Sequence, residues 1–417
     1  MTAEHILDRW RAHGGWGWSF YLLCLFPVLT GVLVRLMHHG WVLMDIDAVL
    51  CAAHHSGLGL SPYATQPACP GLAPAAYVYA PQWATMLAPL TQTLGLTTAR
   101  LVYVGVLLIP AMAFLVWFAL FKSLGIATSY RWLAFSALTP MTFCCGNIGL
   151  IMHSGVLASW LLSRRRWLFV AVVIACAAIK PTFLAYLIVL LLEDRSWRRR
   201  GRDFAIAGVA GAAVVGLVFV TAGVYGGAWR DALHAVALQD QPGLGWLALM
   251  AWLGIPAGSS AMVALTVTFM IAMVGAGLAI ARWSGLDRDA RWLLGFGLAP
   301  LLTPRLMDYD MLMIVPFAAL IMQAGQCAGL RLGWVYTTIL SIGIVANIVE
   351  FKAWHRTHIA MFLFAALTLN IGVCLTWAAL QRRKSEESPL LSGGEGDRVP
   401  VRRPIRALFN PVSRWRL

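Results

Sequence analysis

From Tyr21 to Leu380, apolar stretches of membrane-spanning or half-spanning length alternate with short connections rich in arginine. A helix that crosses a bilayer needs about 20 mostly apolar residues. A chain that supplies such stretches this often buries them in lipid, not in a water-soluble core. Composition agrees, with 60% of the 417 residues hydrophobic and 12% charged. The expected fold is therefore all-α: a polytopic membrane domain over residues 1–380, followed by a basic tail, 381–417, which is disordered and drawn to anionic lipid. The formal net charge of +14 does not imply a nucleic-acid partner. The cations lie in short loops beside apolar runs, and no soluble basic face is available.

Cytoplasmic loops collect Lys and Arg, so the basic clusters set the orientation. They are Arg9/Arg11, Lys122/Arg131, Arg164 to Arg166, Arg195 to Arg202, Arg282/Arg288/Arg291, Arg331 and Arg382 to Lys384. Placing all of them inside leaves about 12 alternating membrane segments. The outward ones are 16–37, 131–145, 167–179, 205–224, 292–303 and 333–350; the inward ones are 101–121, 149–163, 181–192, 257–282, 310–325 and 359–380. Both termini then lie in the cytoplasm of a multi-pass protein of the plasma (inner) membrane. A cleavable signal is not expected, because the first apolar run is followed by Arg35 and His38 and not by a small-residue cleavage site.

Three pairs of segments are too short to span. Their polar apices are Cys144-Cys145-Gly146-Asn147, Lys180-Pro181, and Thr303 to Asp310. At about 1.5 Å per residue, such half-helices reach only part-way through a core about 30 Å thick. Non-helical backbone at that depth has to be buried in protein or line a watery cavity, so the three apices are expected to converge on one outward-facing cavity. Each apex also has a purely structural reading. Lys180 can snorkel to the interface, Asn147 can cap a turn, and Arg305, Asp308 and Asp310 can neutralise one another. The outer loop, 38–100, is too long for a mere connector and opens with a short helix, 46–53, headed by acids. A carboxylate just beyond a span can act as a general base toward a hydroxyl nucleophile.

The remaining signals are structural. Of the eight cysteines, only Cys51 and Cys69 share the outer loop, where a disulfide is open to them. His38-His39 and His54-His55 are neighbours and not i,i+4 pairs, so they read as interface residues; no metal and no cofactor is expected. The tryptophans fit interfacial anchoring, and the stretch from Trp229 to Leu238 has the pattern of an amphipathic helix on the outer surface.

The order of short motifs is informative: an aspartate after the first span, the paired alanines Ala52-Ala53, Gly59-Leu60-Ser61-Pro62-Tyr63, Tyr77-Val78-Tyr79-Ala80-Pro81, Gly146-Asn147, Lys180-Pro181, and Pro304-Arg305 with Asp308-Tyr309-Asp310. This order, over roughly Asp45 to Pro316, resembles glycosyltransferase family 87 of the GT-C superfamily, which includes polyprenol-phosphate-mannose-dependent mannosyltransferases. The resemblance implies a GT-C-like fold and inverting transfer of a hexose such as mannose on the extracytoplasmic (periplasmic or exterior) face. The partners it implies are a polyprenyl-phosphate sugar donor, a lipid or glycan acceptor, and membrane lipids. It places the catalytic base on Asp45, with Asp47 as the alternative. The two apex cations, Lys180 and Arg305, suit the donor phosphate, and Tyr79, Asn147, His153, Asp308, Tyr309 and Asp310 are candidates for sugar or acceptor contacts. The chain departs from the family pattern at Val49, where a tyrosine is usual, and at Ala80, where a second proline is common. Two rival readings are a transporter or lipid flippase, which also carries charge near the membrane midplane, and a non-catalytic subunit of an envelope assembly.

Overall fold

The computed structural model describes residues 16–39, 43–122, 124–139, 142–162, 166–236, 243, 245–256, 258–283 and 286–327. The expected segments 333–350 and 359–380, the tail 381–417, and the clusters at Arg9/Arg11 and Arg331 lie outside them. Among the described residues the structure is helix and connecting turns, with no strand. Three stretches are long and apolar enough to cross a membrane: Pro81–Leu120, Trp197–Val220 and Ser260–Arg282.

In chain order the helices are α1 (Trp16–His39), α2 (Met44–Gly57), α3 (Pro81–Val102), α4 (Ile109–Leu120), α5 (Thr128–Leu138), α6 (Ile148–Leu162) and α7 (Arg166–Ile179). There follow α8 (Ile188–Leu192), α9 (Trp197–Val220), α10 (Gly226–His234), α11 (Trp246–Trp252), α12 (Ser260–Trp283), α13 (Arg288–Leu301) and α14 (Met311–Cys327). A π turn, Tyr103–Leu108, joins α3 to α4, and 3₁₀ turns at Pro181–Leu187 and Asp308–Asp310 lead into α8 and α14.

The three short pairs form as expected, as α5/α6, α7/α8 and α13/α14. The helix α3 begins at Pro81, well before the segment expected at 101–121. Proline is favoured at a helix start because its missing N–H would have no partner there. Within α3 only Gly95 leaves helical geometry, at φ 72°, a left-handed conformation that suits glycine.

The third hairpin is the core. Leu293, Leu294, Phe296 and Leu298 of α13, and Ile314, Val315, Phe317 and Ala318 of α14, are buried on every side. Asp287 caps α13 by accepting from the Ala290 N–H at 2.8 Å, which satisfies one of the orphan donors of the first turn. The long stretches lie to the outside of the hairpins and turn Leu101, Val106, Ile206, Val209, Val263 and Ile271 outward. Such an apolar exterior suits hydrocarbon, not water.

The basic clusters gather at one end of the hairpins. Arg166, at the start of α7, pairs with Glu193 beyond α8 and with Asp203 at 3.6 Å, and Arg291 meets Asp194 at 2.9 Å. Burial pushes the Glu193 carboxyl above its ordinary value, against the lowering pull of Arg166 and Arg195. At the opposite end, α10 docks on protein. Trp229 is buried, stacks on Phe219 with centroids 4.4 Å apart and donates Nε1–H to the Val78 carbonyl at 3.1 Å. Leu233 packs on the same cluster. The helix therefore covers the outer loop with the face that the sequence pattern assigned to the membrane surface.

Candidate active site

The start of α2 is tied to the first apex by backbone. Leu43 N–H donates to the Cys144 carbonyl at 2.9 Å, and Asp45 N–H donates to the Cys145 carbonyl at 3.2 Å. Leu43 adopts φ 71° and Gly146 φ 64°. A Cβ on Gly146 would lie 2.8 Å from the Leu43 side chain, so the close approach requires glycine. Tyr103 of the π turn donates to the Gly146 carbonyl at 3.0 Å and holds the same turn from the other side.

This clamp brings Asp45 against Asn147. The Asn147 Nδ2 donates to Asp45 Oδ2 at 2.8 Å and to the Tyr79 hydroxyl at 3.2 Å, while its Oδ1 accepts from Gly149 N–H at 2.7 Å. Asn147 is thus fully engaged within the protein and orients the Asp45 carboxylate. Burial pushes the Tyr79 phenol above its ordinary value, with the Asp45 charge adding to the effect, so Tyr79 stays protonated.

The second and third apices meet at Lys180. Its Nζ donates to the Tyr309 hydroxyl at 3.1 Å, lies 4.5 Å from the centre of the Tyr309 ring and stands 3.7 Å from Asp310 Oδ1. Asp310 is buried. Its Oδ1 accepts from His153 Nε2 at 2.8 Å, and its Oδ2 accepts from the Met307 N–H at 3.0 Å. The other nitrogen of His153, Nδ1, is 2.7 Å from the Tyr186 hydroxyl. The Asp308 carbonyl accepts from Thr142 at 2.7 Å, which joins the third apex to the first. Arg305 lies close enough for its charge to act on Tyr79, Lys180 and Tyr309, and the Asp45 charge reaches Lys180 and Tyr309 as well.

All three apices therefore converge, with Asp45, Tyr79, Asn147, Lys180, Arg305 and Tyr309 in one neighbourhood. His153 and Asp310 stand behind Lys180 and are bonded to each other. Asp47 faces away from this group. It is fully buried, accepts from the Ala73 N–H at 3.0 Å and pairs with Arg100, Nε to Oδ1 2.8 Å apart. Burial pushes its carboxyl above the ordinary value, while Ala73 N–H and Arg100 pull it down.

Cys51 and Cys69 form a disulfide, which ties the loop bearing Tyr63, Tyr77 and Tyr79 to α2. The sulfurs of these cysteines and the ring of His55 lie within 4.8 Å of one another. The sulfurs are joined to each other, and His55 Nε2–H is donated to the Pro67 carbonyl at 2.8 Å, so this group offers a metal no ready set of lone pairs.

Three participants escaped sequence reasoning. Tyr186 sits within an apolar run, and Tyr103 likewise. Arg100 looked like the end of a loop. Compared with protein-family models, curated proteins and solved structures, the chain matches none of them. Among the described residues the fold is all-helical, with three stretches long and apolar enough to cross a membrane.

Proposed function

We propose that this chain is an integral-membrane, GT-C-like glycosyltransferase that moves a hexose from a polyprenyl-phosphate carrier to a lipid or glycan acceptor on the extracytoplasmic face. The observation that carries the proposal is the juxtaposition of a carboxylate held by an amide, Asp45 on Asn147 at 2.8 Å, with the apex cations Lys180 and Arg305. The motif order described above, which resembles glycosyltransferase family 87, supports the same reading. So does the disulfide, since such bonds persist on the oxidising side of a membrane. The full topology of about 12 segments with both ends in the cytoplasm belongs to this proposal, and the gathering of arginines at the end opposite the apices supports it.

In this reaction Asp45 removes the proton from an acceptor hydroxyl. The hydroxyl oxygen attacks the anomeric carbon as the bond from that carbon to the phosphate oxygen breaks, giving inversion. The polyprenyl phosphate leaves as an anion, and Lys180 and Arg305 stabilise the charge that develops on it, Arg305 by the forked contact that guanidinium makes with phosphate. A phosphate leaving group needs little protonation, so one carboxylate suffices where glycosidases use two. Tyr79, Asp308 and Tyr309, beside these groups on the outer loop and the third apex, are the sugar contacts of this proposal.

The test is transfer of radiolabelled sugar from polyprenyl-phosphate-mannose to endogenous lipid in membranes that express the chain, compared with Asp45→Asn. Product from the parent and none from the variant, at equal protein level, is the expected result. Equal labelling would remove Asp45 as the base. Absence of product from both would reject mannose as the sugar, and the same absence across other polyprenyl-phosphate sugars would reject the reaction class.

A further inference from the structure

Behind Lys180 lies a chain of polar groups that the transfer reaction does not use: Lys180 Nζ to Asp310 Oδ1 at 3.7 Å, Asp310 Oδ1 to His153 Nε2 at 2.8 Å, and His153 Nδ1 to the Tyr186 hydroxyl at 2.7 Å. All but Lys180 are nearly inaccessible, with side-chain exposure of 3% for His153 and 4% for Asp310 against 18% for Lys180. Asp310 is therefore the counter-ion that Lys180 keeps while its head group faces the site.

The geometry at His153 serves two protonation states without moving a heavy atom. With the ring neutral, Nε2–H donates to Asp310 and the Tyr186 O–H donates to Nδ1. With the ring charged, Nδ1–H donates and the phenol oxygen accepts after its hydrogen rotates away. Around the ring, the 3₁₀ turn at Pro181–Leu187 and its cap supply Lys180 and Tyr186, and the third apex supplies Asp310. Cys176 of α7 lies near Tyr186. Tyr103 of the π turn donates to Gly146, and α4, packed on the same helix, has no titratable side chain.

We propose that His153 takes up one proton from solvent when an anionic phosphate engages Lys180. This rests on the donor-phosphate role given to Lys180 above. In the unliganded site Lys180 neutralises Asp310. A phosphate that engages Lys180, with Arg305, adds negative charge beside the buried Asp310 carboxylate, and a nearby anion favours the charged form of a base. An uncompensated buried charge is costly, and His153 is the base already bonded to Asp310. The proton added to Nδ1 restores neutrality around the carboxylate, and it is released when the phosphate departs. His153 and Asp310 are positioning residues in this scheme. They touch neither sugar nor phosphate and set the charge that Lys180 presents to both.

Farnesyl phosphate, a short polyprenyl monophosphate, is the probe. It is titrated calorimetrically into the full chain in detergent micelles at about pH 8, where a phosphate monoester with a second ionisation near pH ~6 is already dianionic. The titration is repeated in two buffers of high and low ionisation enthalpy. The parent is expected to show a buffer-dependent enthalpy whose slope corresponds to about one proton taken up per phosphate bound, and His153→Gln to bind the probe with a slope near zero. Should His153→Gln fail to fold, Tyr186→Phe replaces it; with no phenol oxygen to accept the Nδ1 proton, uptake should fall. Saturable binding with a buffer-independent enthalpy in the parent overturns the proton linkage and leaves the donor-phosphate role standing. Undiminished uptake in His153→Gln also overturns it. Absence of saturable binding in the parent overturns the donor-phosphate role, and the linkage with it.

Discussion

Replacing Asp47 by alanine removes a side chain that is fully buried, two contacts with Arg100, and the acceptor of the Ala73 N–H. A hydrogen bond to a charged group contributes about 1.5–3 kcal/mol, and an orphaned buried donor costs about 1–3 kcal/mol. Arg100 keeps 28% of its side chain exposed and turns to water, which recovers part of the loss. The net destabilisation expected is about 3 kcal/mol, or roughly two orders of magnitude in the folding equilibrium at ~1.36 kcal/mol per tenfold. Arg100→Ala should cost more, about 3–5 kcal/mol, because it leaves the carboxylate buried with one N–H for a partner. The double variant should fall short of the sum by about 1–3 kcal/mol, since the two side chains act as a pair. The assay is the apparent melting midpoint in micelles, read by fluorescence-detected size exclusion at one heating rate, where Asp47→Ala should fall by about 5 °C. Melting with the parent would refute the structural role. So would a variant that stays fully stable and loses transfer as completely as Asp45→Asn, which would put Asp47 in the chemistry.

Asn147→Ala removes the amide that holds Asp45, and transfer should drop about 100-fold, by analogy with the loss of one preorganised donor, with donor binding retained; an unchanged rate would show that Asp45 is oriented by something else. Cys51→Ser opens a disulfide that closes 18 residues of sequence separation, which should cost about 3 kcal/mol and add maleimide labelling at Cys69, read by peptide mapping, that the parent lacks at that position. In Gly149→Ala the added methyl would stand 2.8 Å from Asn147 Oδ1 and 3.0 Å from the Tyr309 ring; overpacking of this kind costs about 1–3 kcal/mol, measured as a lower melting midpoint.

Much of the fold was written in the sequence, because charge is rare in this chain and each polar apex interrupts an apolar run. The three hairpins, the short helix after the first span, and the pairing open to Cys51 and Cys69 could all be read that way. What could not be read depends on which groups meet. Asn147 and His153 look like free hydrogen-bonding groups in one dimension, and only the packing of α6 against the third apex turns them onto Asp45 and Asp310. Tyr186 carries no local signal, since a tyrosine among leucines is ordinary in a buried helix. The two aspartates of α2 are two residues apart and chemically alike, yet opposite helix faces send one to Asn147 and the other to Arg100. The early start of α3 is not marked by an unbroken apolar run, since Gln82, Gln92 and Arg100 interrupt it and Gly95 leaves helical geometry within it.

The contacts that assemble the site join distant parts of the chain: Asp45 and Asn147 are 102 residues apart, Lys180 and Tyr309 are 129, and His153 and Asp310 are 157. A growing chain therefore makes its carboxylate first and waits for everything that gives it a task. Lys180 is made long before Asp310, so until the third hairpin is synthesised the second hairpin lacks the carboxylate that stands 3.7 Å from its ammonium. The third hairpin supplies that carboxylate and completes the group of charges. A chain that stops before the third hairpin lacks Tyr309 and Asp310, so the arrangement of charges proposed for transfer is completed late in synthesis.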